Sequence, residues 1–219
     1  MAAGRRQPLR AQPLEIAGPA GRLEALLEDP GREQPAAVGI ACHPHPLHQG
    51  SLRNKVVHTL ARACNELGLP VLRFNFRGVG RSEGRYGALD GATADAHAAV
   101  AWVRERWPRA PIWIGGFSFG ALVAFRIALE EQVARLVTIA PPVQRFALPH
   151  GRQPQCPWLV VQGSSDEIVD CNAVRAWLEQ LAPGPELVVV DGAGHFFHGR
   201  LTELKEILVR KLGAPQGAP

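Results

Sequence analysis

PIWIGGFSFGALVAF, residues 111–125, is the stretch on which the fold turns. Its first part, Ile112-Trp113-Ile114, is β-branched and aromatic without alternation, which predicts a fully buried strand, whereas Ala121-Leu122-Val123-Ala124-Phe125 predicts the apolar start of a helix. Ser118 stands between the two, on a strand-to-helix turn, with Gly116 and Gly120 two residues to either side. A serine chosen for packing would gain little there. A turn that sharp drives its central residue toward positive φ, glycines on both sides leave room for the backbone to pass, and the Oγ is pushed into the open. The plainer alternative is that Ser118 caps the following helix.

Outward from this unit, continuous apolar runs recur at Ala36–Cys42, Val71–Phe76, Pro111–Gly115, Leu136–Ala140, Trp158–Val161 and Leu187–Val190. They alternate with helical patterns, such as Ala96, Ala99, Val100, Val103 and Trp107, or Leu201, Leu204, Ile207, Leu208 and Leu212. Buried strands separated by helices predict an α/β fold: a mostly parallel sheet with helices on both faces. Ahead of them, alternation over Leu9–Ile16 and Leu23–Leu27, joined by Gly18-Pro19-Ala20-Gly21, predicts a hairpin.

With 219 residues and 46% apolar content, the chain is expected to form one domain over 1–219, with flexible ends at 1–8 and 213–219. The net charge of +4 comes from scattered arginines with no basic stripe, which argues against nucleic-acid binding. Cys42, Cys64, Cys156 and Cys171 are far apart and form no C-x-x-C pair, so reduced thiols are expected. No run of eighteen or so apolar residues occurs and no leader pattern opens the chain, so a cytoplasmic protein without membrane partners is expected.

An exposed serine nucleophile needs a base, and the base needs an acid to orient it. WLVVQGSSDEIVD places Asp166, Glu167 and Asp170 just beyond one buried strand, and LVVVDGAGHFFHG places His195 and His198 just beyond the next. In a parallel sheet these loops leave from the same carboxyl edge as Ser118. Asp170 reads as the cap of a helix starting near Asn172. His195 follows the small residues Gly192-Ala193-Gly194, while His198 adjoins the last helix.

The residues HPHPLHQGSLRNKVV, FNFRGVGRSEG, GFSFG and GAGHFF, together with the order Ser, Asp, His, resemble a compact, lidless α/β-hydrolase from Ala36 to Leu212. They are similar to bacterial hydrolases related to dienelactone hydrolases and acyl peptidases, with Gln49-Gly50 standing where that subgroup usually has two glycines. The resemblance implies that Asp166, four to five residues past its strand, is the acid, and that the loop after the first buried strand supplies an oxyanion donor. Pro44 and Pro46 lack N–H groups, so the His45 amide is the donor to pair with Phe119 N–H. His43, His45 and His48 also invite a metal reading, but no acidic ligand is near in sequence, and no metal is expected.

Gly78, Gly80 and Gly84 look superficially like a dinucleotide fingerprint. Glu83 stands where its third glycine belongs, and RYGALDGA after it does not read as a helix start, so no cofactor is expected. The resemblance thus implies a cofactor-free serine hydrolase using Ser118, His195 and Asp166 on short to medium acyl esters or thioesters; the alternatives are an aminopeptidase or acyl-peptidase-like hydrolase and a catalytically silent binding protein on the same fold. Residues 141–157 are too few for a lid domain, so Ser118 is expected to open beneath apolar side chains such as Leu47, Val143 and Phe146.

Overall fold

The structure is a computed structural model in which residues 10–145 and 153–213 are described. Its centre is an eight-stranded sheet: β1 (Arg10–Gly18), β2 (Gly21–Asp29), β3 (Val38–Cys42), β4 (Val71–Phe74), β5 (Ile112–Phe117), β6 (Arg135–Ile139), β7 (Trp158–Gly163) and β8 (Glu186–Val190). The order is β1-β2-β4-β3-β5-β6-β7-β8. The expected hairpin is present, with Gly18 paired to Gly21 across a Pro19-Ala20 turn, and β2 joins β4 antiparallel. Every pair from β4 to β8 is parallel.

Helices cover both faces, because strands apolar on both sides must be buried on both sides. On one face α1 (Lys55–Glu66) and α5 (Leu201–Gly213) pack through Val56, Val57, Leu60, Leu204 and Leu208 against Ala41, Val137 and Val161. The other face carries α2 (Ala88–Arg106), α3 (Phe119–Glu130) and α4 (Cys171–Leu178), with Ala96, Val100, Val103, Leu122, Phe125 and Val174 over Ile40, Ile114 and Val160.

Two boundaries differ from the sequence reading in informative ways. The segment RYGALDGA does start a helix: α2 begins at Ala88, eight residues before the first apolar position of the pattern. Its N-cap is Gly87, with no side-chain cap hydrogen bond, so the polar cap that marks most helix starts is missing. β4 stops at Phe74 rather than Phe76, since Asn75 and Phe76 turn their amides to Glu24 O and His43 Nε2. Among the described residues no helix is long and apolar enough to cross a membrane.

Chain order and sheet order part company at β3. From there the chain steps outward through α1 to β4, then returns by α2 to β5 on the other side of β3. The carboxyl ends of β3 and β5 therefore diverge into loops running in opposite directions, the crevice where open α/β sheets hold ligands. Cys42 and Gly116 are paired across that point.

Candidate active site

At the end of β5, Ser118 has φ 53 and ψ −119, a conformation that costs a non-glycine residue about 1–3 kcal/mol. Neither flanking glycine can be larger. A Cβ on Gly116 would lie 2.2 Å from Gly120 O, and one on Gly120 would lie 2.2 Å from Cys42 O. The Ser118 side chain makes no cap hydrogen bond to α3. Instead Oγ lies 3.1 Å from His195 Nε2, which removes the helix-cap alternative.

His195 comes from the loop after β8 and is 2% exposed, its ring packed between Phe117 and Phe196 at 4.9 and 5.1 Å between centroids. Nδ1 donates to Asp166 Oδ2 at 2.8 Å, leaving the Nε2 lone pair for the Ser118 hydroxyl proton. The Asp166 side chain is fully buried, an arrangement open to a carboxylate only if its oxygens are satisfied. Besides His195, it accepts from Ile168 N at 2.9 Å, Val169 N at 2.8 Å and Gln162 Nε2 at 3.0 Å. Burial, the largest single influence, works to raise its pKa. The hydrogen bonds from His195, Val169 and Ile168 together outweigh that and hold the carboxyl below the usual carboxylate range.

The other acids of that loop have different partners. Asp170 caps α4, accepting from Asn172 N and Ala173 N. Glu167 Oε2 accepts the backbone N–H of His195 at 3.0 Å, tying the histidine loop to the acid loop. His198 stacks on Phe196 at 5.7 Å and is not part of the chain of hydrogen bonds. Glu167 and Gln162 are site-building residues that sequence reasoning did not find, because each acts on a residue brought near by the fold.

Across the crevice, the loop after β3 contains the histidine-proline run. His43 is wholly buried, with Nδ1 donating to Pro44 O at 2.7 Å and Nε2 accepting from Phe76 N at 3.0 Å. Burial pushes its pKa down to about 4. His45 Nδ1 accepts from Leu47 N at 3.2 Å and Nε2 lies 2.9 Å from Tyr86 Oη. Both ring nitrogens of both residues are thus hydrogen-bonded within the protein. Among the described residues no group of three His, Cys, Asp or Glu side chains is placed to hold a metal ion.

Gln49 closes the turn with φ 59 and ψ 21, the left-handed conformation glycine favours, so the glutamine reproduces the backbone a glycine would adopt there. Gly50 has no such latitude: a Cβ would fall 2.0 Å from Pro44 O. The backbone N–H groups of His45 and Phe119 have no hydrogen-bond partner among the described residues. For Phe119 this is the orphan donor of a helix start, at the positive end of α3. Of the expected apolar neighbours, Leu47 is 70% exposed, Val143 is 2% exposed and packs into the core, and Phe146 lies outside the described residues.

Known proteins share this fold. A family model described as serine aminopeptidase, S33, matches residues 49–149. An α-β serine hydrolase homologue from Coxiella burnetii superposes with a TM-score of 0.88 at 47% identity, covering 92% of this chain and 97% of that one. A lidless α/β serine hydrolase from Xanthomonas campestris gives a TM-score of 0.87 at 40% identity, covering 96% and 98% respectively. An uncharacterised protein of Rickettsia prowazekii is 31% identical over 201 residues, 87% of this chain and 84% of that protein. An elbow serine on a switch-point strand, in a sheet shared with these relatives along almost its full length, makes this chain a compact member of the α/β serine hydrolases.

Proposed function

We propose that the protein hydrolyses short to medium acyl esters or thioesters through an acyl-enzyme on Ser118. Ser118 Oγ attacks the acyl carbon while His195 Nε2 takes its proton and then delivers it to the leaving alkoxide or thiolate. Ionised Asp166 keeps the proton of the neutral ring on Nδ1 and stabilises the imidazolium as it forms. The negative charge on the former carbonyl oxygen is met by the His45 and Phe119 amides and the α3 terminus. Water then repeats the sequence on the acyl-enzyme, with His195 again the base. The observation that carries this reading is the unbroken chain from Asp166 Oδ2 through His195 to Ser118 Oγ, at 2.8 and 3.1 Å.

An apolar acyl group is favoured by the surroundings. The large apolar side chains left exposed among the described residues are Leu47 at 70%, Ile168 at 60% and Phe196 at 39%. Each lies within two residues of His45, Asp166 or His195, so water-facing apolar surface gathers on the loops of the site. Each methylene laid against such a rim contributes about 0.8 kcal/mol until the rim ends. All four cysteines are free, which suits action in the reducing cytoplasm.

Labelling with a fluorophosphonate, together with hydrolysis of p-nitrophenyl esters, an acyl thioester and an aminoacyl amide, tests the proposal. Label should attach to the wild type and not to Ser118→Ala, and kcat/KM should rise over the first few acyl carbons and then level. Efficiency that climbs steadily to palmitoyl, or preference for the aminoacyl amide, would overturn the substrate class. Activity retained by Ser118→Ala would overturn the mechanism.

A further inference from the structure

The glycine-rich loop after β4 has no part in the mechanism above, yet it ends on a side chain that touches the oxyanion loop. We propose that Tyr86 is a positioning residue, its hydroxyl holding the His45 imidazole and, through it, the His45 amide; this rests on reading that amide as an oxyanion donor.

The argument begins with what fixes His45. Its carbonyl accepts from His48 N at 3.0 Å and Gly50 N at 3.1 Å. Nδ1 accepts from Leu47 N at 3.2 Å, so the neutral ring carries its proton on Nε2 and donates it to Tyr86 Oη at 2.9 Å. Of the polar groups of His45, the backbone N–H alone has no partner among the described residues. The first three ties are local and keep the turn in shape. Tyr86, 41 residues away, adds a polar tie from outside the turn, beside the edge-on contact of the His45 ring with Phe119 at 4.9 Å and the anchor of His43 on Phe76 N. Its ring also packs beside His45 and Phe119, at 5.2 and 6.5 Å between centroids, bracing the two proposed oxyanion donors from the same side.

A brace must itself be anchored. Arg77 opens the loop with its N–H 2.8 Å and its guanidinium 2.7 Å from the carboxylate of Asp95, which is fully buried on α2. Asn75 Nδ2 donates to Glu24 at 2.7 Å and Asn75 Oδ1 accepts from Leu52 N at 2.7 Å. Glu83 takes three hydrogen bonds from Arg22. Gly78, Gly80 and Gly84, all at positive φ, let the chain double back between these anchors and deliver Tyr86. The loop that superficially resembled a nucleotide fingerprint is built to hold one phenol in place.

Two variants of the full-length protein, assayed with p-nitrophenyl butyrate, isolate the tie. Tyr86→Phe keeps the ring and removes the hydroxyl. His45→Asn keeps the backbone donor and an acceptor for Leu47 N, but does not reach Tyr86. Each should lower kcat by about 10- to 100-fold with KM within a factor of about two, the size expected for a displaced rather than deleted donor. The double variant should be no worse than either single, since both cut one connection. Wild-type kcat in Tyr86→Phe, or losses that multiply in the double variant, would overturn the brace while an inactive Ser118→Ala leaves the triad standing. An active Ser118→Ala would instead overturn the reading beneath it.

Discussion

The two sides of the crevice use histidine in opposite ways. On the β7 and β8 side, His195 lies between a buried carboxylate that accepts from Nδ1 and a serine hydroxyl that can either donate to or accept from Nε2. On the β3 and β4 side, His43 and His45 each accept a backbone N–H on one ring nitrogen, from Phe76 and Leu47, a bond that protonation would break. In the proposed mechanism one side carries a histidine that changes charge during turnover, and the other carries histidines that stay neutral while holding backbone in place. Partner identity, not residue type, separates the proposed catalytic imidazole from the structural ones.

Dismantling the first side should have the largest effect. Ser118→Ala is expected to lower kcat by about 10⁶ and Asp166→Asn by about 10⁴, with both proteins still folded by circular dichroism. The asparagine can offer its amide to Nδ1 and favour the wrong tautomer, which explains a loss short of that at the serine. Equal losses in the two would show that Asp166 does more than orient the ring.

At His43, the second side should reveal itself through stability. Burial holds folded His43 at a pKa of about 4, against about 6.5 in the unfolded chain. A depressed histidine contributes stability that is fully present above the unfolded value and is lost as pH falls toward the folded one. About 3 kcal/mol should therefore disappear between pH 6.5 and 4 in urea unfolding. His43→Gln should be less stable than wild type at pH 7, and the gap should narrow at pH 4. A gap that stays constant would mean that His43 titrates without coupling to the fold.

The smallest expected effect lies at the link between acid and base loops. Glu167→Ala removes the acceptor of the His195 amide and should lower kcat roughly three- to tenfold, the value of one hydrogen bond, whereas Glu167→Gln keeps an acceptor and should stay near wild type. If glutamine were as damaging as alanine, the carboxylate charge rather than the bond would be what matters, and the contrast between the two sides would be electrostatic more than geometric.

Much of this was legible before folding was considered. The run from Ile112 to Phe125 announced strand, turn and helix, and the parallel sheet followed from six apolar runs, each within two residues of its observed limits. Where the reading failed, the local signal was absent: α2 starts on Gly87-Ala88 with no polar cap. Tyr86, Gln162 and Glu167 carried no motif at all, since their roles exist only with partners supplied by other loops.

By itself, the sequence determined the elbow, the α/β class and the loops in which an acid and a histidine had to be sought, because strand period, glycine permissiveness and turn chemistry act over a few residues. The family resemblance pointed to Asp166, but what brings that acid onto His195 is the tertiary structure. Asp166, Glu167 and Asp170 share one loop and one chemistry. The parallel register of β7 on β8, with Gly163 opposite Val190 and so close to the histidine loop that a Cβ would lie 2.2 Å from Ala193 O, brings Asp166 onto Nδ1, Glu167 onto the backbone and Asp170 onto a helix end. Hydrogen bonds act over about 3 Å, so a partner 29 residues away in the chain is chosen by how the strands align and not by anything within reach of either residue's neighbours in sequence.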